Sequence, residues 1–305
     1  MKSLLNSKAL FLEKMPSLKD IKNRIGSVKS TQKITKAMKM ISTARLTKAR
    51  YNLQNNKEYS HAIQSFANAI ISQFKKSDTL DIPKFVENFT RSSTKHNVLT
   101  ILLSTDKGLC GALNTFLFKE FHNQLSAGSI TENLITIGKK AFDFTKNKIP
   151  TLNSTPYFAS KAENHAQIID EILAIIKQKN ITQLKIIFPE FISTMVQKPK
   201  TIIFPQKLVH IIKSNSSNAV NEHYEIEGCK VLLVEKSLEE AIKSLIQEAI
   251  SQMICSEHSA RMIAMDSASN NATAKIKDLT LIYNKTRQAN ITREILEIVA
   301  GSQAM

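Results

Sequence analysis

The sequence predicts an α/β protein in which long N- and C-terminal helices form an antiparallel coiled coil and the intervening chain forms a central α/β domain. Three observations predict this fold: the placement of glycine and proline, heptad-like apolar spacing near both ends, and alternating strand and helix patterns between them. The chain has 305 residues, of which 42% are hydrophobic, so it can form a packed core.

Helix-breaking residues are concentrated in the middle of the chain. Of the seven glycines and seven prolines, eleven lie between Pro83 and Gly228, whereas residues 27–82 and 229–300 contain none. Each of these stretches can continue as helix, and a helix that long needs a partner along its length. We therefore predict four segments: an extension or leader over 1–14, a coiled-coil helix over 15–82, an α/β domain over 83–228 and a second coiled-coil helix over 229–305.

Residues spaced by three and four follow one helical face near each end. The N-terminal stripe consists of Leu18, Ile21, Ile25, Val28, Thr35, Met38 and Ile41. The C-terminal stripe consists of Leu279, Ile282, Thr286, Ala289, Arg293, Leu296 and Ala300. Both follow the spacing of a coiled-coil seam, although a threonine and an arginine interrupt the second one.

The middle of the chain alternates between two kinds of pattern. Buried-strand runs lie at Asn97–Leu103, Leu134–Gly138 and Leu184–Phe188, helical patterns at Thr115–Gln124, Ala141–Lys146 and Ile168–Lys179, and a strand pair broken by Pro199 at Met195–Phe204. Strands that alternate with helices favour a Rossmann-like domain with a mostly parallel sheet.

The charge of the chain is strongly positive, with 42 lysines and arginines against 26 acidic residues and a net charge of +16. Ten of these cations, and no acidic residue, lie between Ile21 and Lys57. Because like charges repel along a helix, we expect an acidic partner surface. Nucleic acid is the competing partner, but only Tyr51, Tyr59 and Phe66 lie in or near the segment, which weakens a base-stacking model.

The loop Ser104–Asn114 follows a predicted strand and precedes a helix, so the amides of Gly108 and Gly111 could hold a phosphate. Its spacing matches neither a dinucleotide fingerprint nor a P-loop, and we interpret it as a structural turn, with a ligand site as the alternative. Asp106 and Lys107 have no second carboxylate or histidine beside them in sequence and receive the same interpretation.

The sequence predicts no catalytic, cofactor or metal site. The three cysteines contain no C-x-x-C pair, the seven histidines show no ligand spacing, and Glu257–His258 is interpreted as a helix-surface pair. Saturable nucleotide binding by the isolated chain would favour a Rossmann-type enzyme, but the sequence lacks the fingerprint glycines of that class. Apolar runs such as Val98–Leu103 are far shorter than the roughly 20 residues that span a bilayer, so we expect a soluble or peripheral protein. Residues 1–14 lack an export signal, and Met15 is a second candidate start.

Three separated segments resemble the gamma subunit of F-type ATP synthases. The first is SLKDIKNRIGSVKSTQKITKAMKMISTARLTKAR (Ser17–Arg50), the second is LLSTDKGLCGALN (Leu102–Asn114), and the third runs from SEHSARM to the end (Ser256–Met305). They occur in the order of the family, so the chain is identified as a member of it from Met15 to the C-terminus. Ala112 departs from the family, which commonly has a second consecutive glycine there.

The resemblance implies the central rotor stalk of a proton-translocating ATP synthase. In this family the terminal helices lie inside a hexameric ring of alpha and beta subunits, and the α/β domain lies beside the epsilon subunit and the membrane c-ring. The subunit has no catalytic site of its own; its rotation couples proton flow to ATP synthesis or hydrolysis at the beta subunits. The implied location is peripheral, on the cytoplasmic face of the bacterial plasma membrane, without a cofactor or nucleic acid.

The resemblance also implies which residues contact partners. Lys36, Met38 and Lys39 would face an acidic segment of a beta subunit. Arg287, Gln288 and Thr292 would contact beta-subunit loops, and the final helix from Ile295 would lie in an apolar bearing of the ring.

Overall fold

The computed structural model describes residues 17–75, 84–90, 97–126, 128, 133–148, 154–157, 165–205 and 229–303. The elements are α1 (Leu18–Lys75), α2 (Lys84–Thr90), β1 (Val98–Leu103), α3 (Leu113–Ser126), β2 (Asn133–Ile137), α4 (Lys139–Lys148), β3 (Ser154–Tyr157), α5 (His165–Gln178), β4 (Gln183–Phe191), β5 (Gln197–Phe204) and α6 (Lys230–Gln303). The predicted combination of long terminal helices and a central α/β fold is confirmed.

The chain divides into two compact units, one made of the terminal segments up to Ile41 and from Ile263, the other of Ser42–Met262. Both long helices contribute to both units. The four segments predicted from sequence follow helix and sheet boundaries instead, and that division stays a prediction. The predicted extension 1–14 lies outside the described residues, as do 206–228 of the predicted α/β domain.

In the first unit, α1 and α6 pair as antiparallel helices. The side chain of Ser17 caps α1, because its Oγ accepts a hydrogen bond from the Asp20 amide at 3.2 Å. Along the pair, Gln32 Nε2 donates to Thr273 Oγ1 at 2.7 Å, and Lys39 Nζ lies 2.6 Å from Asp266 Oδ1. Residue numbers therefore rise along one helix as they fall along the other, as the sequence predicts.

The predicted N-terminal stripe is correct up to Met38 and wrong at Ile41. Ile21 and Thr35 are buried, but Ile41 is 54% exposed and the neighbouring Ser42 takes the buried position. The reason is the phase of the heptad: Ser42 follows Ile21, Val28 and Thr35 at intervals of seven residues, so the seam continues at Ser42, whereas Ile41 lies one residue out of phase.

The C-terminal stripe is out of phase in the same way, because the buried face continues after Leu279 with a step of four residues and not of three. Leu279 is buried, but Ile282 is 47% exposed and the neighbouring Tyr283 is half-buried instead. Extending the observed register places Leu18, at the start of α1, opposite Arg287. Later stripe positions therefore have no described counterpart on α1, and Ala289, Arg293, Leu296 and Ala300 are exposed instead of lying in a seam.

The second unit contains a five-stranded sheet with the order β3-β2-β1-β4-β5. Strands β1 to β4 pair in parallel and β5 is antiparallel to β4, which confirms a mostly parallel sheet. The predicted strand pair broken by Pro199 is wrong, because Gln197–Phe204 is one strand. A proline is tolerated there since β5 is an edge strand.

Helices cover both faces of the sheet. On one face, Leu99, Ile101 and Leu103 pack in a core with α5 and the N-terminal half of α6. On the other face, Leu102 and Ile187 pack with residues of α3 and α4. The sheet is thus the middle layer of an α/β/α arrangement, and the loop after β1 emerges at the carboxyl end of a central strand.

Candidate partner interfaces

The N-terminal part of α1 carries an exposed row of cations. Lys22, Lys29, Lys33 and Lys36 are all exposed, and none of them forms an ion pair with a described residue. Successive lysines in this row are one or two helical turns apart, and the helix has no acidic residue between Ile21 and Ile41. Their positive electrostatic potential is therefore not compensated within the described part of the chain. An acidic partner surface would compensate it.

Of the three predicted contact residues on α1, only Lys36 is fully presented to solvent. Met38 and Lys39 are half-buried, and Lys39 forms its ion pair with Asp266 across the helix pair. Met38 belongs to the seam stripe, so its side chain is divided between the seam and the surface. A partner role for these three residues stays a prediction.

The C-terminal end of α6 is exposed all round. Arg287, Gln288, Thr292 and Ile295 all lie in this segment, and each is exposed. The hydroxyl of Thr292 donates to the carbonyl oxygen of Gln288 at 2.9 Å, which occupies it within the helix. The four predicted residues thus share one accessible surface.

This end of α6 also exposes large apolar side chains. Ile291, Ile295, Leu296, Ile298 and Val299 are between 46% and 72% exposed. Water-exposed apolar surface of this extent is characteristic of an interaction site. Helix propensity alone stabilises an unpaired helix poorly in water, so contact with a surrounding partner would stabilise this segment.

The loop Ser104–Asn114 is fixed by Arg261, a buried residue of α6 that the sequence analysis did not single out. Its guanidinium donates to the carbonyl oxygens of Lys107 at 3.3 Å and Gly108 at 3.2 Å, and to Glu257 Oε1 at 2.7 Å. The Glu257–Arg261 spacing of four within a breaker-free helix was the sequence signal for this pair.

The contacts of this loop are those of a turn. Asp106 Oδ1 accepts the amide of Lys139 at 2.9 Å, which caps the start of α4. Leu109 and Gly111 adopt positive φ angles of 64° and 60°, so the chain reverses tightly. The side chain of Leu109 is 62% exposed at the tip. These contacts agree with the structural interpretation of Asp106 and of the loop.

The interpretation of Glu257 and His258 as a helix-surface pair is wrong. Only 15% of the Glu257 side chain is exposed, and burial raises the pKa of its carboxyl group while Arg261 opposes the rise. Burial, followed by the positive charges of Arg261 and Arg45, lowers the pKa of His258 to about 4. Tertiary packing of the loop and α1 against this stretch of α6 causes the burial.

None of the described helices is long and apolar enough to cross a membrane. Within the described ranges, no group of three or more histidine, cysteine, aspartate or glutamate side chains is placed to hold a metal ion.

The chain combines paired terminal helices with an α/β domain and leaves cationic and apolar surfaces exposed. These features define a class of protein that binds partner subunits. The sequence model of the ATP synthase family matches residues 17–305. The chain is 34% identical to the ATP synthase gamma chain of Geobacter sp. (strain M21) over 301 residues, which cover 95% of this chain and 99% of that one. It is also 34% identical to the ATP synthase gamma chain of Rickettsia typhi, covering 95% of this chain and 100% of the relative. The chain therefore belongs to the family of ATP synthase gamma chains.

Solved structures show the same fold at lower identity. The rotor of the Euglena gracilis mitochondrial ATP synthase matches with a TM-score of 0.60 and 20% identity, covering 90% of this chain and 98% of that one. The central stalk and c-ring structure of Tetrahymena thermophila mitochondrial ATP synthase matches with a TM-score of 0.57 and 20% identity, covering 77% of this chain and 99% of that one.

Proposed function

We propose that the chain is the central rotor stalk subunit of an F-type proton-translocating ATP synthase. The observation that supports this most directly is the identity of about a third to ATP synthase gamma chains over their whole length. In this role the chain contributes no catalytic group. It couples proton flow through the c-ring to ATP synthesis or hydrolysis at the beta subunits by rotating inside the alpha–beta ring, with the epsilon subunit bound beside it.

Two surfaces support the proposed coupling. The uncompensated lysine row on α1 attracts acidic segments of the surrounding ring, and Lys36 lies within it. The exposed apolar end of α6, with Ile295, suits a bearing that excludes water around the shaft. The surrounding ring would consist of domains that each adopt a few discrete conformations. As the two surfaces rotate past these domains, they would switch each domain in turn between its conformations.

The proposed location follows from the proposed assembly. The α/β unit would bind the c-ring and thereby hold the chain peripherally at the membrane. We place it on the cytoplasmic face of a bacterial plasma membrane, because the relatives named above are bacterial gamma chains.

Reconstitution with partner subunits tests the proposal. Purified alpha and beta subunits from the same organism are mixed with and without the full chain, and MgATP hydrolysis and size-exclusion elution are measured. We expect one copy of the chain to co-elute with three alpha and three beta subunits and to increase turnover strongly.

The contrary result is a folded chain that neither co-elutes nor changes turnover. The lysine row would then be tested with duplex DNA over a range of salt concentrations. A steep salt dependence of DNA affinity would favour the alternative function, a basic helical nucleic-acid-binding protein.

A further inference from the structure

A cationic cleft lies wholly within the unit Ser42–Met262, apart from the surfaces already described. Its volume is about 510 Å³, which is within the range of small-molecule sites. Residues of α1 form one wall, residues of α6 form the other, and His165 at the start of α5 lies at its edge. Its lining includes Arg45, Lys48, Asn52, Asn55, Gln247 and His258.

The charge of the cleft has one sign. Arg45 and Lys48 line it, and none of the described lining residues is acidic. Both cations are exposed, and neither forms an ion pair with a described carboxylate. At a spacing of three residues they share one helical face and repel each other. An anion between them would remove that repulsion.

The remaining lining groups are mostly neutral hydrogen-bonding side chains. Asn52, Asn55 and Gln247 offer amide N–H groups, while Asn56 Nδ2 donates to Ser251 Oγ at 2.7 Å and so ties α1 to α6 at the cleft wall. The buried Nδ1 atom of His258 has no hydrogen-bond partner among the described residues. Because this atom is buried, it is not accessible to a ligand in the cleft, whereas the side chains of Arg45, Lys48 and Asn52 are exposed.

We propose that this cleft binds a phosphate group, either of inorganic phosphate or of a nucleotide such as ADP. A planar guanidinium binds phosphate oxygens in a bidentate manner, and a neighbouring ammonium and several amide N–H groups supply the remaining donors. The absence of a carboxylate among the described lining residues favours an anion over a metal ion or a polyamine. The proposal concerns a ligand and is independent of the rotor function.

Binding is measured by isothermal titration calorimetry with the full chain alone, because partner subunits would add nucleotide sites of their own. Inorganic phosphate, ADP and sodium glutamate are titrated separately at constant ionic strength. We expect saturable binding of a phosphate compound and none of glutamate. Tighter binding of ADP than of phosphate assigns the site to a nucleotide, and equal affinities assign it to free phosphate.

Two variants locate the site. The double variant Arg45→Gln/Lys48→Gln removes both cations, and Asn52→Asp introduces a negative charge with little change of shape. We expect each to weaken binding at least about tenfold. The matched control Lys119→Gln/Lys198→Gln removes the same charge from exposed positions outside the cleft and should change affinity less than about twofold.

Circular dichroism confirms that each variant is folded; if the double variant is not, Asn52→Asp alone decides. The proposal is overturned if no phosphate compound binds saturably, or if binding survives both cleft variants and so lies elsewhere, for example at Gly108–Gly111. It is also overturned if the control loses affinity equally, or if glutamate binds as well as phosphate, which would indicate an acidic peptide as the occupant.

Discussion

Arg261 on α6 holds the main chain of Gly108, 153 residues earlier, by hydrogen bonds from Nη2 at 3.2 Å and from Nε at 3.4 Å to one carbonyl oxygen. The same guanidinium neutralises Glu257, of which 15% is exposed. One buried cation therefore joins the loop after β1 to the long C-terminal helix. Leu109, the residue after Gly108, is 62% exposed at the loop tip.

Replacing Arg261 should destabilise the second unit. In Arg261→Gln the buried Glu257 carboxylate loses its partner, and breaking a buried pair in this way costs about 3–5 kcal/mol. Urea unfolding followed by circular dichroism measures the loss. The double variant Arg261→Gln/Glu257→Gln should recover part of it, because no buried charge is left unpaired. A loss below about 1 kcal/mol for the single variant would contradict this account.

The pair between Lys39 and Asp266 should contribute little to stability. Its side chains are 41% and 46% exposed, so water and salt screen the attraction. We expect Asp266→Asn to lower the free energy of unfolding by no more than about 1 kcal/mol. A larger loss that persists at high salt would show that the pair is more than a surface contact.

Reversing the charge of Lys36 should weaken assembly without affecting folding. Lys36 is exposed and forms no ion pair within the described chain, so Lys36→Glu breaks no such pair there and turns attraction to an acidic partner into repulsion. We expect reduced activation of ATP hydrolysis by the alpha–beta ring, with the largest effect at low ionic strength. The control Lys119→Glu makes the same charge change on α3. Equal activation by both variants at all salt concentrations would argue against a role for the lysine row.

The apolar end of α6 should be required for assembly and not for stability. Ile295→Asp and Leu296→Asp alter side chains that are 54% and 63% exposed, so the free energy of unfolding should stay within about 0.5 kcal/mol of that of the unmodified chain. Co-elution with the ring should weaken, because a charge would enter an apolar bearing. Asn290→Asp adds the same charge nearby without removing an apolar side chain and serves as the control. Normal assembly of both apolar-site variants would exclude the bearing.

His258 should make the chain less stable as the pH falls from about 6.5 to about 4. Its pKa is about 4 in the folded chain and about 6.5 when unfolded, so only the unfolded chain binds the proton in this range. The slope is at most about 1.4 kcal/mol per pH unit and is fully developed only between the two pKa values. Arg45 on α1 and Arg261 on α6 are the cations that oppose protonation.

Glu257 complicates the measurement, because its raised pKa has the opposite effect on stability as the pH rises. The relevant quantity is therefore the difference in unfolding free energy between the unmodified chain and His258→Gln, measured by urea unfolding at several pH values. The same pH slope in both proteins would show that His258 is not held neutral by the fold.

Sequence patterns predict a helix well where the stretch without glycine or proline is long, and a strand well where the strand is buried on both faces. The breaker-free ends predict α1 and α6, and runs such as NVLTILL predict β1, because continuous apolar residues suit a central parallel strand. The pattern fails for β3, which has four residues, includes Pro156 and lies at a sheet edge. It also fails for α2, whose seven residues provide too short a repeat to be distinguished from a loop.

The sequence by itself determined the family, the two long helices, their antiparallel pairing and the mostly parallel sheet, because these follow from motifs, breaker placement and hydrophobic repeats that are local in the chain. Only the tertiary structure decided that Arg261 reaches Gly108 and that His258 borders a cationic cleft with Arg45. These features depend on contacts between residues far apart in sequence. Local spacing carries no information about such contacts.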